Sequence, residues 1–217
     1  MSILTMTLMV TLMPILTPNK PTRRSALLGM ISALALTAVA GPAKALTADG
    51  AKKLVDAIVA DINKVIAASS SEAQKIKQFE KIFVRYSDVP TIARYALGVD
   101  ARRASSAQMA AFTKAFQSYV SKKYGKRFRE FIGGEIEVKK AKKVKSFFEV
   151  KTIARLRGES PFEVTFLISD RSGRSKFFNI FIEGVNMLLT ERTEIGSMLD
   201  KRRGDIDALI SDLKKIG

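Results

Sequence analysis

The residues able to do chemistry in this 217-residue chain are set first by two absences, for it has no cysteine and no histidine. Without cysteine there is no thiolate nucleophile, disulfide frame, or cysteine-ligated metal or iron–sulfur site. Without histidine, Ser-His-Asp catalysis, histidine-bound zinc and histidine proton shuttling are excluded. Glu159-Ser160-Pro161 is a turn rather than a nucleophile elbow, which needs Gly-x-Ser-x-Gly after a strand. Asp49, Asp56 and Asp61 are spaced as helix-surface residues, and Asp205 and Asp207 fall in a first helical turn, where they suit the helix dipole. No phosphate-cradling loop is present. The chain reads as a non-enzyme that calls for no cofactor and no metal.

The remaining chemistry is apolar. Met109, Phe112, Phe116, Tyr119, Val120, Tyr124, Phe128 and Phe131 recur at helical spacing and form one mainly aromatic stripe, opposite Lys114, Lys122, Lys123, Lys126, Arg127 and Arg129. Phe162, Val164, Phe166 and Ile168 alternate along one strand face, and Lys176–Leu189 is the most apolar strand candidate. A cavity between such a helix and such a sheet is suited to lipid tails. Burying a CH₂ is worth ~0.8 kcal/mol, so a lipid with about thirty of them leaves a bilayer at a cost on the order of 20 kcal/mol unless an enclosed apolar site replaces it.

The elements that must position these residues follow from periodicity. Helices are expected over Thr47–Ala68, then from a Ser69–Glu72 capping box to about Arg85, then over Asp88–Leu97 with Asp88 as cap and Gly98 as stop. Ser105–Phe131 is the longest, roughly 40 Å at 1.5 Å per residue. From Glu135 the period shifts toward two, which gives three or four antiparallel strands ending in Lys176–Leu189, with Gly184 permitting a bulge. Helices over Glu191–Asp200 and from Asp205 close the chain. The expected class is α+β, a twisted antiparallel sheet with one apolar face covered by helices.

The first 45 residues read as an address. Arg23-Arg24 precedes the apolar run Ala26–Ala40, and Ala43-Lys44-Ala45 is a small-x-small cleavage site, the pattern of a Tat-type signal peptide cleaved near Ala45. Fifteen residues are short for a membrane anchor. Residues 46–217 then form one domain that works outside the cytoplasm. Its formal charge falls from +16 for the whole chain to about +12, which suits membrane headgroups, nucleic acid or an acidic protein. Export weighs against nucleic acid.

Three stretches carry a family resemblance. Phe79-Glu80-Lys81-Ile82-Phe83-Val84-Arg85-Tyr86-Ser87-Asp88 runs into Ile92-Ala93-Arg94-Tyr95-Ala96-Leu97-Gly98; Ser105–Phe112 is followed by Phe116, Tyr119 and Tyr124; Phe181-Ile182-Glu183-Gly184-Val185-Asn186 is followed by Arg192 and the last helix. In this order they resemble the periplasmic lipid-shuttle family of the Mla pathway, the MlaC-like or toluene-tolerance family. The sequence departs from it in having no tryptophan, with Lys176-Phe177-Phe178-Asn179 entering the last strands, and in Asn186 where the family usually has serine. The resemblance implies an NTF2-like sheet with a helical subdomain and an apolar pocket. It also implies a periplasmic phospholipid carrier between an outer-membrane lipoprotein complex and an inner-membrane ABC transporter complex that maintains outer-membrane asymmetry.

On this reading the pocket candidates are Phe83, Tyr95, Phe112, Phe116, Tyr119, Tyr124, Phe166, Ile168, Ile180, Ile182, Val185 and Met187, with Arg94 and Arg192 as headgroup candidates and transient contact with a membrane surface. Three rivals remain. A carrier of a polycyclic lipid such as a hopanoid would share the fold. An NTF2-like enzyme acting on a hydrophobic substrate requires a buried carboxylate or Tyr–Asp pair in the pocket. A basic adaptor requires a filled core.

Overall fold

The computed structural model describes residues 45–126, 134–156 and 158–217. The expected leader, and the Phe128 and Phe131 end of the aromatic stripe, lie outside the described residues. Residues 45–217 make one compact unit. Helices α1 (Ala48–Ala67), α2 (Glu72–Tyr86) and α3 (Val89–Leu97) lead through a 3₁₀ turn, Gly98–Arg102, into α4 (Ser106–Gly125). Strands β1 (Glu135–Val144), β2 (Phe147–Arg155), β3 (Phe162–Ser169), β4 (Lys176–Ile182) and β5 (Val185–Asn186) follow, then α5 (Met187–Lys201) and α6 (Ile206–Ile216). The five strands form one antiparallel meander in sequence order. The fold is α+β. Among the described residues no helix is long and apolar enough to cross a membrane.

Local chemistry sets the helix starts. Asp88 caps α3 by accepting from the Thr91 amide, and Pro90 fits its first turn. Ser105 caps α4 in a reciprocal box with Gln108. The box that starts α2 pairs Ser71 with Gln74, not Ser69 with Glu72. Ser71 is the extended residue next to the first helical turn, and an N-cap side chain reaches only two or three residues ahead.

The sheet register puts Val150 opposite Phe166, which lies opposite Ile180. On that face stand Ile136 and Val138 of β1, Phe148, Val150, Thr152 and Ala154 of β2, Phe162, Val164, Phe166 and Ile168 of β3, and Ile180 and Ile182 of β4. The reverse face carries Lys142, Glu149, Lys151 and Glu163, as expected where one side of an antiparallel sheet is solvated. The Ser87–Asp88 junction docks on β4, with the Asp88 amide donating to the Phe177 carbonyl at 2.8 Å.

The expected last strand, Lys176–Leu189, is two strands and a helix start. Glu183 and Gly184 both have positive φ, 49° and 79°. That pair makes a two-residue primed hairpin turn between Ile182 and Val185 rather than a bulge. Asn186 then accepts from the Leu189 amide and starts α5 at Met187, four residues before the expected Glu191.

Candidate functional site

The sheet face and the helices do not close completely on each other. Between them lies a cavity of about 330 Å³, at the small end of the usual ~300–1,000 Å³ for ligand sites. Ile58 and Ile62 of α1, Phe79, Ile82 and Phe83 of α2, Ile92 of α3, and Phe116, Val120 and Tyr124 of α4 form the helical wall. Ile136, Val164, Phe166, Ile180 and Ile182 form the sheet wall, and Met187, Leu188 and Glu191 of α5 close one side. Phe177 packs edge-on to Phe166 at 6.0 Å and against Phe83 at 6.1 Å, so three aromatic rings make a continuous lining.

Of the residues singled out in the sequence, Phe83, Phe116, Tyr124, Phe166, Ile180, Ile182 and Met187 come together on this lining. The other candidates lie off it. Phe112 and Ile168 are fully buried core residues. Tyr119 is on the α4 turn beside Tyr124 but packs on Phe116 with its hydroxyl turned to Glu194. Tyr95 is 40% exposed and Val185 54% exposed, the latter because the hairpin turn carries it out of β4. Helical and strand periodicity identify an apolar face but do not say which part of that face meets a neighbour and which meets empty space.

The two arginines also lie off the cavity. Arg192 stacks over the Tyr95 ring at 5.0 Å and runs along Gly98, where a Cβ would stand 3.5 Å from its guanidinium. Gly98 has φ +69° and ψ −136°, a conformation open to glycine, so Arg192 clamps the bend after α3. Arg94 is on the exposed face of α3. The charged lining residues among those described are all acidic: Glu159 and Glu183 at the end of the sheet where β2 turns into β3 and β4 into β5, and Glu191 inside.

No periodicity or motif in the sequence pointed to the polar cluster at the α5 wall. Glu191 is 4% exposed. Its Oε1 accepts from Lys123 Nζ at 2.8 Å and from the Tyr124 hydroxyl. Lys123 also donates to Glu194, which accepts from the Tyr119 hydroxyl as well. Burial favours the neutral amine of Lys123, but its bonds to Glu191 and Glu194 prevail and lift its pKa above the ordinary lysine value. Burial pushes the Glu194 carboxyl up; the bonds from Lys123 and Tyr119 outweigh it and hold it below the usual carboxylate range. Burial, with the bond to Glu194, raises the Tyr119 phenol, which stays protonated. Glu191 Oε2 is buried and has no hydrogen-bond partner among the described residues. Only the α4–α5 packing brings residues about 70 positions apart into this cluster.

The MlaC protein family model matches residues 52–215. The chain belongs to the MlaC family. No curated protein matches this MlaC-family chain in sequence. Its fold is similar to that of a phospholipid-binding protein from Ralstonia solanacearum solved in complex with a phospholipid, with a TM-score of 0.65 and 15% identity over 76% of this chain and 96% of that one.

Proposed function

We propose that the chain is a phospholipid carrier of the periplasm, exported by the leader in residues 1–45 and working as a single domain over residues 46–217. The apolar cavity between the sheet face and the helices carries this reading. Family membership and the lipid held by the structural relative support it. Acyl chains occupy the aromatic and branched lining from Phe83 and Phe116 to Ile180 and Ile182. The phosphate of the headgroup stays toward the exposed rim.

A carrier of this kind collects lipid at one membrane and yields it at the other, with an inner-membrane ABC transporter complex and an outer-membrane lipoprotein complex as partners. Transient contact with anionic membrane surfaces suits β1, whose Lys139, Lys140, Lys142 and Lys143 are exposed, as is Lys145 beyond its end. Lysines on an edge strand also protect it from pairing with other chains. The buried Glu191–Tyr124 pair is the feature an enzyme on a hydrophobic substrate would need. Its bonded oxygen is held by Lys123 and Tyr124, and no serine, threonine, cysteine or lysine accompanies it among the described lining residues.

Mass spectrometry of organic extracts from the purified protein tests the reading. Glycerophospholipid at about one per chain supports it. A polycyclic lipid from a host that makes one replaces the cargo but keeps the carrier. A folded, monodisperse protein without lipid overturns it.

A further inference from the structure

Glu191 has no place in a purely apolar container. A carboxylate oxygen buried without a partner leaves its desolvation uncompensated unless something meets it. Oε1 is saturated by Lys123 and Tyr124, while Oε2 meets no donor among the described residues, on a side chain that is 4% exposed and lines the cavity. The surrounding charge fixes the sign of what would fit. Lys123 is shared between two carboxylates, Glu191 and Glu194, so the cluster leans negative. The other charged lining residues described, Glu159 and Glu183, are acidic too. A phosphate or carboxylate is repelled at this wall, whereas an N–H or O–H donor is attracted.

We propose that Glu191 Oε2 is a built acceptor for a hydrogen-bond donor on the ligand, a hydroxyl or an ammonium group, bound against α5 inside the cavity. The proposal rests on the lipid-binding reading and narrows it to amphiphiles that bring a donor to an otherwise apolar site. A lipid whose polar part offers only acceptors leaves Oε2 unmet. Tyr124, which lines the cavity and bonds the other oxygen of the same carboxylate, holds Glu191 in place.

The test is a competition assay on delipidated protein made from the full chain. One probe pair is a long-chain alcohol and its methyl ether; the other is phosphatidylethanolamine and phosphatidylcholine with identical acyl chains. Each pair differs in N–H or O–H donors. The wild type is expected to favour the donor member of at least one pair by about tenfold, the scale of a charge-assisted hydrogen bond. Preference within the alcohol pair identifies a hydroxyl ligand, and within the phospholipid pair an ammonium. In Glu191→Leu that preference should fall to near unity while the ether or phosphatidylcholine still binds. If Glu191→Leu fails to fold, the isosteric Glu191→Gln carries the test, with a weakened preference expected for the ammonium probe above all. Equal binding within both wild-type pairs, or a preference unchanged in the variants, overturns the proposal and leaves the carrier standing. Failure of every probe to bind folded wild-type protein overturns the carrier reading itself.

Discussion

Asn179 Nδ2 donates to Asn186 Oδ1 at 3.0 Å, across the hairpin that ends the sheet. The Asn179 side-chain oxygen Oδ1 accepts from the Ile180 and Leu188 amides at 2.8 and 3.1 Å, and Asn186 Oδ1 also accepts from the Leu189 amide. One buried side chain therefore ties β4 to the first turn of α5, and that turn carries Met187, Leu188 and Glu191 to the cavity. Asn179→Leu leaves the Leu188 amide unpaired and is expected to cost about 2 kcal/mol, a fall in Tm of roughly 4–8 °C for a domain of this size. Asn186→Ser keeps a helix cap and should cost less. Thermal melts of the two variants check the order.

The Lys123 cluster has a definite pH window. Glu194 has a lowered folded pKa, so its contribution is present above the ordinary carboxylate range and lost as pH falls through the lowered value. Lys123 has a raised one, so its contribution is present below the ordinary lysine value and lost as pH rises through the raised value. Lys123→Met is expected to cost about 3 kcal/mol at pH 7, because Glu191 then stays buried without its cation. The gap from wild type should shrink in acid, as Glu194 protonates, and again in strong alkali, as Lys123 loses its proton. Urea unfolding from pH 3 to 11 measures it.

Filling the cavity should separate binding from stability. Val164→Trp places an indole on the sheet wall and is expected to cut bound lipid roughly tenfold through lost apolar contact, with a small change in melting. Ile168 is a fully buried neighbour on the same strand face but off the lining. Ile168→Ala should cost about 3 kcal/mol and leave the identity of the bound lipid unchanged. Lipid extraction and melts on both variants compare the two effects.

Arg192 is expected to act on the fold. Tyr95→Leu removes the ring beneath the guanidinium and should cost about 0.5–1 kcal/mol without altering lipid content. A change in headgroup selectivity on Arg192→Gln, measured by lipid mass spectrometry, would restore Arg192 as a headgroup ligand.

Binding to anionic vesicles should depend on the β1 lysines and fall steeply with salt, since exposed charges are screened over ~10 Å at 0.1 M. Lys140, Lys142 and Lys143 replaced together by glutamine should weaken vesicle binding by about 1 kcal/mol per lysine. Neutral vesicles, bound weakly by both proteins in a flotation assay, are the control.

The sequence by itself determined the classes of chemistry open to this protein and most of its elements. Two absent residue types removed the common hydrolase and metal designs. Local signals such as Asp88 before Val89-Pro90 and Ser105 three residues before Gln108 placed helix starts, because caps are short-range. Alternation in Phe162, Val164, Phe166 and Ile168 gave the inner face of β3, because side chains on a strand point alternately. The tertiary structure decided the rest. Lys176–Leu189 reads as one strand until two positive φ values turn the chain at Glu183-Gly184, since apolar periodicity cannot tell a strand from a tight hairpin followed by a helix. Phe116 borders the cavity while Phe112, one turn away on the same stripe, is core, because empty space is set by how neighbouring elements fail to meet. Glu191 and Lys123 are unremarkable charges in sequence. Packing α5 against α4 encloses them together, and low polarity around them makes their pairing matter, along with Glu191 Oε2, which meets no donor among the described residues.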